Sequence, residues 1–265
     1  MRICKLTFSI FILHSLLLGY EDSDIDGVED ANDLCPNTSF DKLVDKNGCP
    51  ENEIYWGWAT LQLGSDIAID ENSNKLNSYS FLGSYGYKKW YFSISNTQQT
   101  TYDNNNNRST NSGDVYLSSG HKFNYKNFQT NLNFGIKIAT ADETIGTGED
   151  DYFSSVDINY FINGKQTLFA QIGYTLTGDS TNTTYQNSLA CSLGTGYMLN
   201  NKWYSSFSYD YAESIYKDAQ EYQSLSWFNS YSFLDNYFIS LNYTYGLDNL
   251  SYPHKFSINL GATFE

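Results

Sequence analysis

The sequence predicts an all-β protein, a twelve-stranded antiparallel transmembrane β-barrel that follows a short N-terminal segment of different composition. Three observations predict this fold. Segments in which apolar and polar side chains alternate recur about twelve times between Ile54 and Phe264, each near the roughly 9–11 residues that a tilted strand needs to cross a bilayer. The chain is 17% aromatic, yet its mean hydropathy is −0.48, as expected when every second side chain faces a polar lumen. The connecting segments alternate between short and long.

Residues 1–19 have the pattern of a secretory signal peptide. Arg2 and Lys5 precede an apolar-rich run from Leu6 to Leu18, which ends at Gly19. A basic start, an apolar run of this length and a small final residue predict export and cleavage near Gly19. A transmembrane helix would need roughly 20 apolar residues, and this run is shorter. Export and a β-barrel together predict the outer membrane of a Gram-negative bacterium.

Residues 20–53 form an acidic segment, with 11 acidic and 2 basic side chains between Glu21 and Glu53. A calcium loop places oxygen ligands at its positions 1, 3, 5, 9 and 12, a glycine at 6 and a backbone carbonyl at 7. Gly27 falls on position 6, and Asp33 replaces the glutamate usual at position 12 of an EF-hand. The pattern predicts a Ca²⁺ site whose ligands are Asp22, Asp24, Asp26, Val28 through its carbonyl, Asp30 and Asp33. A disordered acidic linker is the alternative.

Two cysteines of this segment, Cys35 and Cys49, both stand directly before a proline. In an exported segment this spacing predicts a disulfide, which would stabilise the fold by about 3 kcal/mol in the chain-entropy model. The segment resembles a thrombospondin type 3 calcium repeat. Such repeats link periplasmic modules to outer-membrane barrels, so the resemblance implies a periplasmic location and the option of a periplasmic partner.

The barrel over residues 54–265 is predicted from its links. Short links are expected at 87–89, 121–126, 163–165, 200–202 and 234–236, and long polar links at 65–77, 97–113, 139–151, 178–184, 213–221 and 248–254. In outer-membrane barrels the short turns face the periplasm and the long loops face outward. Twelve strands, an even number, then leave both termini of the chain in the periplasm.

The strand faces agree with lipid contact. From strand two to strand twelve, the face assigned to lipid carries no Asp, Glu, Lys or Arg, and an Arg or Lys at the bilayer midplane would cost about 2–4 kcal/mol. Strand one is ambiguous, because Trp58 alternates with Leu61 and Leu63. A soluble β-sandwich also alternates, but the number of strands and the alternating link lengths favour the barrel.

The sequence shows no set of residues with the spacing of a catalytic motif, so the protein is not expected to be an enzyme. His121 is predicted to lie in a short turn and His254 in the last long loop, and neither has the spacing of the serine–histidine motif of outer-membrane phospholipase. The net charge of −15 and the absence of a basic patch oppose nucleic-acid binding.

Motifs in the middle of the chain suggest a family. They are Ser112-Gly-Asp-Val-Tyr-Leu-Ser-Ser-Gly120, Lys137-Ile-Ala-Thr-Ala-Asp142, Gly146-Thr-Gly-Glu-Asp-Asp-Tyr152 and Ile172-Gly-Tyr-Thr-Leu-Thr-Gly-Asp179. This part of the chain, residues 110–180, resembles the outer-membrane transporter family named for the meta-pathway of phenol degradation. The sequence departs from the family at Thr140-Ala141-Asp142, where a glycine is missing. The resemblance implies a barrel that moves small, aromatic molecules.

The predicted lumen face combines small polar residues with aromatic and charged ones. We expect these larger residues to include Tyr91, Tyr116, Lys137, Asp157, Phe161, Phe169, Tyr204 and Asp210. They would either contact a passing solute or fill a barrel too narrow to conduct. An acidic loop with Asp142, Glu143, Glu149, Asp150 and Asp151 would favour cations at the outer mouth.

Two functions therefore remain. One is a channel or transporter for small solutes, aromatic or cationic. The other is a structural or surface-interaction barrel without transport activity, whose acidic loops bind cations, a partner, or lipopolysaccharide through bridging Ca²⁺. In both, outer-membrane lipid surrounds the barrel.

Overall fold

The computed structural model describes residues 24–28, 33–35, 38, 44, 47–50, 57–69, 75–102, 108–141, 148–179, 184–217, 219–249 and 251–264. Among these residues, no helix is long and apolar enough to span a lipid bilayer.

Twelve antiparallel strands form one closed barrel. The strands are β1 (Trp58–Ile69), β2 (Lys75–Tyr87), β3 (Trp90–Tyr102), β4 (Arg108–Tyr125), β5 (Phe128–Ile138), β6 (Asp151–Phe161), β7 (Gln166–Leu176), β8 (Ser188–Asn200), β9 (Trp203–Ala212), β10 (Tyr222–Leu234), β11 (Tyr237–Gly246) and β12 (His254–Phe264). Each strand pairs with its neighbours in sequence, and β1 closes on β12 with Ala59 opposite Phe264. Closure leaves no free sheet edge, which a barrel in lipid requires. The predicted strand number and direction are confirmed.

Two predicted links differ from the structure at the long-loop end. Strands β1 to β4 run into the ranges 65–77 and 97–113 that the sequence assigned to loops, and β3 and β4 stay paired out to Tyr102 and Arg108. The ends of β3 and β4 are rich in Ser, Thr, Asn and Gln, so their pairing gives little hydrophobic alternation to detect. The end of β1 does alternate, with Ile67 and Ile69 on the outward face, and the sequence prediction missed it. The ladder continues past a bulge, where Gly113 and Asp114 lie opposite Thr97.

The short turns are tighter than expected on β4. This strand continues to Tyr125, so the link predicted at 121–126 is wrong and the turn is Lys126-Asn127. Lys126 has a φ of 48°, and Lys88, in the equivalent turn between β2 and β3, has a φ of 54°. Two-residue hairpin turns commonly use this left-handed conformation, because its twist matches the twist of the strands.

The outward face of the barrel is apolar and bounded by aromatic side chains. On β1, Leu61 and Leu63 are 51% and 64% exposed and share the outward face, which settles the ambiguity in the sequence. Near the short turns the outward aromatic residues include Tyr85, Trp90, Phe128, Trp203 and Tyr231, and near the long loops Tyr79, Tyr152, Tyr174, Tyr243 and Tyr245. Between these bands no Asp, Glu, Lys or Arg of the described strands points outward. Such girdles mark the two interfaces of a bilayer.

The described part of the N-terminal segment is held by short-range contacts. Cys35 and Cys49 form the predicted disulfide, with Cα atoms 5.0 Å apart. The Leu34 N–H donates to the Asn47 carbonyl at 2.8 Å, and Val44 forms a single antiparallel bridge with Pro50. The disulfide therefore closes a small loop, and backbone pairing links that loop to the residues directly before and after it.

Candidate functional site

The lumen face is lined by small polar side chains arranged in rows across neighbouring strands. One such row runs through consecutive register partners, namely Thr263, Thr60, Ser84, Ser93 and Ser118. Thr60 and Thr263 share a hydrogen bond of 2.9 Å across the closure of the barrel, and Ser93 and Ser118 share one of 2.6 Å. The hydroxyl groups thus bond to one another along the wall and still present lone pairs to the lumen.

Large aromatic residues of the lumen lie close against the wall, over glycines of the neighbouring strand. A Cβ atom added to any of these glycines would overlap an aromatic ring, in the pairs Gly86 with Trp58, Gly120 with Tyr91, Gly135 with Phe153, Gly194 with Phe169, Gly196 with Tyr204 and Gly261 with Phe238. In five of the six pairs the two residues are direct register partners. The glycines remove the side chain that would otherwise lift each ring into the lumen.

The interior of the barrel is not a packed core. Among the described residues, Ala68 is the only buried apolar side chain. Tyr116 is 42% exposed although it faces the lumen, where its ring lies 6.2 Å from that of Phe153. A barrel filled by its own side chains would bury its inward aromatic residues, because protein interiors are close-packed. The lumen is therefore accessible to solvent.

The remaining predicted aromatic residues also lie on lumen positions. Phe161 is at the short-turn end of β6 and Phe169 is next to it on β7. Tyr204 lies on β9, with its ring 6.4 Å from that of Phe228. Tyr91 donates a hydrogen bond from its hydroxyl to the side chain of Asn133.

Lys137 is at the centre of a buried ion-pair network near the long loops. Its side chain is 5% exposed, and its Nζ lies 2.7 Å from Asp151 Oδ2 and 3.6 Å from Asp114 Oδ2. Asp114 Oδ1 also accepts hydrogen bonds from the backbone N–H groups of Thr140 and Ala141, at 2.9 and 2.8 Å. Asp151 Oδ1 accepts one from the N–H of Gly178 at 2.9 Å. The network ties the base of the β5–β6 loop to β4 and to the β7–β8 loop.

Asp157, on β6, accepts hydrogen bonds from neutral groups. Asn133 Nδ2 donates to its Oδ2 at 2.6 Å, and Gln171 Nε2 donates to its Oδ1 at 2.7 Å. Ser155 Oγ is a longer donor to Oδ1 at 3.3 Å. These donors fix the carboxylate without neutralising it.

Asp210, on β9, is held in the same way by three serines. Ser192 donates to Oδ1 at 2.5 Å, and Ser226 and Ser208 donate to Oδ2 at 2.7 and 3.1 Å. The serines come from β8, β9 and β10, so the carboxylate is bound from three strands at once. The sequence could not show this arrangement, because the donors are brought together only by the register.

Sequence reasoning missed several charged residues of the lumen. Asp66 faces the lumen and accepts a hydrogen bond from Ser78 at 3.0 Å, but it fell inside a predicted loop. Asp151 was assigned to the acidic outer loop, and that assignment is wrong, because the side chain is buried against Lys137. The register also places Lys122 and Lys255 on lumen positions, opposite Asn131 and Thr244. The usable signal was the alternation itself, extended beyond the apolar part of each strand.

The acidic segment brings three of its predicted ligands together. One carboxylate oxygen from each of Asp24, Asp26 and Asp33 lies within 4.8 Å of the others. Asp24 Oδ2 accepts a hydrogen bond from the Thr38 N–H at 2.6 Å, whereas Asp24 Oδ1 is buried and has no hydrogen-bond donor. Asp22 and Asp30 lie outside the described residues. The Val28 N–H donates to Asp26 Oδ1 at 2.9 Å.

A glycine closes this cluster from the other side. Gly48 has a φ of +74°, a conformation that favours glycine, and a Cβ atom there would overlap the carboxylate of Asp33. The backbone next to Cys49 therefore packs directly on the acidic groups. Three crowded carboxylates, one with a buried oxygen that lacks a donor, form an oxygen donor set of the kind that Ca²⁺ prefers.

His121 and His254 lie on the outward face rather than in a site. His121 is inside β4, with its ring 4.5 Å from the ring of Trp90 and 4.4 Å from that of Phe123, so its prediction as a turn residue is wrong. The Nδ1 of His254 and the hydroxyl of Tyr243 share a hydrogen bond of 2.8 Å. Both histidines belong to the aromatic girdles.

Comparisons with known proteins agree on the fold. No family model matches the sequence, and no curated protein matches it significantly. Among solved structures, an outer-membrane channel from Pseudomonas putida F1 matches with a TM-score of 0.63 at 8% identity, over 83% of this chain and 100% of that one. The NanC porin matches with a TM-score of 0.58 at 10% identity, over 77% and 99%, and the KdgM porin with 0.56 at 6% identity, over 78% and 99%. The chain thus has the closed barrel fold of outer-membrane porins and channels.

Proposed function

We propose that this protein is an outer-membrane channel for small solutes. The observation that carries the proposal is the unfilled lumen, in which aromatic rings lie against glycines and Ala68 is the only buried apolar side chain among the described residues. A barrel with a purely structural role gains nothing from an accessible interior, because a packed interior would add stability. Glycine also weakens a strand, so its repeated use opposite aromatic residues has a cost that an open lumen explains.

The wall chemistry favours solutes that are small, polar and neutral or cationic. Serine and threonine hydroxyls and asparagine amides supply hydrogen bonds, and the aromatic rings supply flat apolar surfaces. The charged groups on the wall also include Asp66, Lys122 and Lys255. Lys137 is neutralised by two carboxylates, whereas Asp157 and Asp210 are bound by neutral donors. An aromatic solute, which the family resemblance implies, would find rings on most strands of the lumen.

Conductance measurements test this proposal. The purified, folded protein inserted into planar bilayers should produce discrete current steps in KCl. Liposomes that contain it should swell in isosmotic solutions of small neutral sugars, at a rate that falls with solute size. A folded barrel that shows neither current nor swelling would contradict the channel. That result would favour the surface-interaction alternative, in which outer acidic loops bind lipopolysaccharide through bridging Ca²⁺.

The orientation of the barrel is part of the proposal. We place the short turns and the N-terminal segment in the periplasm, as in other barrels of this class. A cysteine introduced at Asn105, in a long link, should react in intact cells with a reagent that does not cross membranes, and a cysteine at Lys165 should not. Reaction at position 165 but not at 105 would show that the barrel is inverted.

We also propose that the acidic segment binds Ca²⁺ through Asp24, Asp26 and Asp33, with Asp22, Asp30 and the Val28 carbonyl completing the set. The clustering of three carboxylates and the buried Asp24 Oδ1 support this proposal. Carboxylates this close repel one another until a cation arrives, so binding should order the segment. An ordered segment at the periplasmic side would present a surface for a periplasmic partner.

Calorimetry on the full-length protein in detergent tests the calcium site. Titration with CaCl₂ should give a saturable heat that is lost in Asp24→Asn, since the amide removes the charge of a central ligand. Asp235→Asn, in an exposed turn, removes the same charge elsewhere and should bind Ca²⁺ like the wild type. Equal heats in the wild type and Asp24→Asn would overturn the proposed site.

A further inference from the structure

Two lumen carboxylates lie in one row of register partners. Asp157 on β6 pairs with Gln171 on β7, Gln171 pairs with Ser192 on β8, and Ser192 pairs with Asp210 on β9. We call these four residues the acidic row. Gln171 donates to Asp157 at 2.7 Å and Ser192 donates to Asp210 at 2.5 Å, so the two residues in between are each bonded to one carboxylate.

Neither carboxylate of the acidic row is neutralised by a nearby base. In the described part of the chain, no Lys or Arg side chain comes within 4.0 Å of Asp157 or Asp210, and the two ion pairs present both involve Lys137. If the line of register partners is continued beyond Asp157, it passes through Asn131 on β5 and reaches Lys122 on β4, two strands away. Both carboxylates are only partly buried, so their charge is open to the lumen.

We infer that Asp157 and Asp210 determine the charge selectivity of the channel and form two successive binding positions for small cations, including solutes with one ammonium group. This inference rests on the proposed channel function and names its preferred solute class. It assigns selectivity to the wall of the barrel rather than to the acidic outer loops.

The distance between the carboxylates of Asp157 and Asp210 suits ion conduction. Three inter-strand steps of about 4.8 Å place the two carboxylates about 14 Å apart along the wall. A cation midway between them is about 7 Å from each, which is within the Debye length of about 8 Å at physiological salt. The cation therefore feels the second carboxylate before it has left the first. Conduction needs binding that is strong enough to admit an ion and weak enough to release it, and two separated single charges meet that need better than one crowded pair.

The hydrogen bonds to the carboxylates of the acidic row also limit how far these groups move when a cation arrives. Asp157 accepts from Asn133, Ser155 and Gln171, and all of these donors are neutral. A carboxylate held in place does not have to move when a cation arrives, and its field is therefore available at once.

Reversal potentials across a KCl gradient test the inference. Asp157→Asn and Asp210→Asn keep side-chain size and some hydrogen bonding, so both barrels should fold. Each should lower the ratio of K⁺ to Cl⁻ permeability by about threefold or more, the factor for a unit charge at about 7 Å in water. Lys122→Gln should raise the ratio. Asp235→Asn, which removes a carboxylate from an exposed turn, should leave it near the wild-type value.

The outcomes separate the two claims. An unchanged ratio in both Asp157→Asn and Asp210→Asn, with conductance intact, would overturn this assignment and leave the channel standing. An equal fall in Asp235→Asn would overturn it as well, because the effect would then follow net charge rather than the row. Absence of conductance in the wild-type protein would overturn the channel and this assignment together.

Discussion

Two parts of the lumen wall hold carboxylates in opposite ways. Around Lys137, the carboxylates of Asp114 and Asp151 are 7% and 12% exposed and share one ammonium group. In the acidic row, Asp157 and Asp210 have only neutral donors and remain partly exposed. In the first arrangement the charges pair with one another, and the carboxylates also accept hydrogen bonds from the backbone of two loops. The second leaves its charges available to whatever enters the lumen.

The comparison teaches that a lumen charge cannot be interpreted from its position alone. Lys137 and Asp157 are both on lumen positions of neighbouring strands, β5 and β6. Only the partners differ, since Lys137 lies opposite Asp151 and Asp157 lies opposite Asn131. A buried charge without its partner is strongly destabilising, whereas a solvated carboxylate with neutral donors tolerates substitution. Three changes, from the largest expected effect to the smallest, test this contrast.

Lys137→Met should have the largest effect, on stability rather than on selectivity. It leaves two carboxylates buried beside each other, and the loss of one partner of a buried ion pair costs about 3–5 kcal/mol. Urea unfolding of the detergent-solubilised protein, followed by tryptophan fluorescence, would measure the loss. Adding Asp151→Asn should restore part of it. Lys165→Met, in an exposed turn, is the matched control, and equal stability of the two lysine variants would refute the role of Lys137.

Gly261→Ala should have an intermediate effect, on conductance. The new methyl group overlaps only the ring of Phe238 among its three nearest atoms, so the ring must rotate away from the wall and into the lumen. Overpacking of this kind costs about 1–3 kcal/mol, and the single-channel conductance should fall. Phe238→Ala in the same protein should restore the current. Gly164→Ala has open space around it and should conduct normally. A normal current in Gly261→Ala would show that the glycines do not keep the lumen open.

Neutralising Asp142, Glu143 and Glu149, in the link between β5 and β6, should have the smallest effect. Asp151 is left unchanged, because it belongs to the Lys137 network. Salt screens charges that act through solvent, so the change in cation preference should be visible at low ionic strength and disappear near 1 M salt, where the Debye length is about 3 Å. Reversal potentials at both concentrations would show it. A loss of preference larger than that in Asp157→Asn would place the selectivity in the loops instead.

Much of the fold could be predicted from the sequence because strand alternation is a local property. The outward side chains had to be apolar at every second position, and this requirement placed Tyr91, Phe169 and Asp210 on lumen positions without any knowledge of pairing. The predicted strand ends were less accurate at β1 to β4. The ends of β3 and β4 are rich in hydroxyl and amide side chains and show no apolar alternation, whereas β1 continues through Ile67 and Ile69. Asp66 was missed because it fell inside the long link predicted at 65–77.

The site depended on contacts that no local pattern reveals. Nothing in the sequence shows that Lys137 is opposite Asp151 or that Asp210 has serines from three strands around it, because register is set by the whole ladder. The same holds for Phe238, whose ring lies on the wall only because Gly261 is its partner.

By itself, the sequence determined that this chain is a twelve-stranded barrel with an apolar outer face, and that Cys35 can reach Cys49 in the segment before it. These properties follow from composition and from spacing along the chain. Lipid requires an apolar outer face, and the short sequence separation keeps the two cysteines close to each other. Only the tertiary structure decided which carboxylates are neutralised, which rings lie against the wall and therefore how much of the lumen is open. The physical reason is that charge pairing and side-chain packing act across strands, between residues that the register alone makes neighbours.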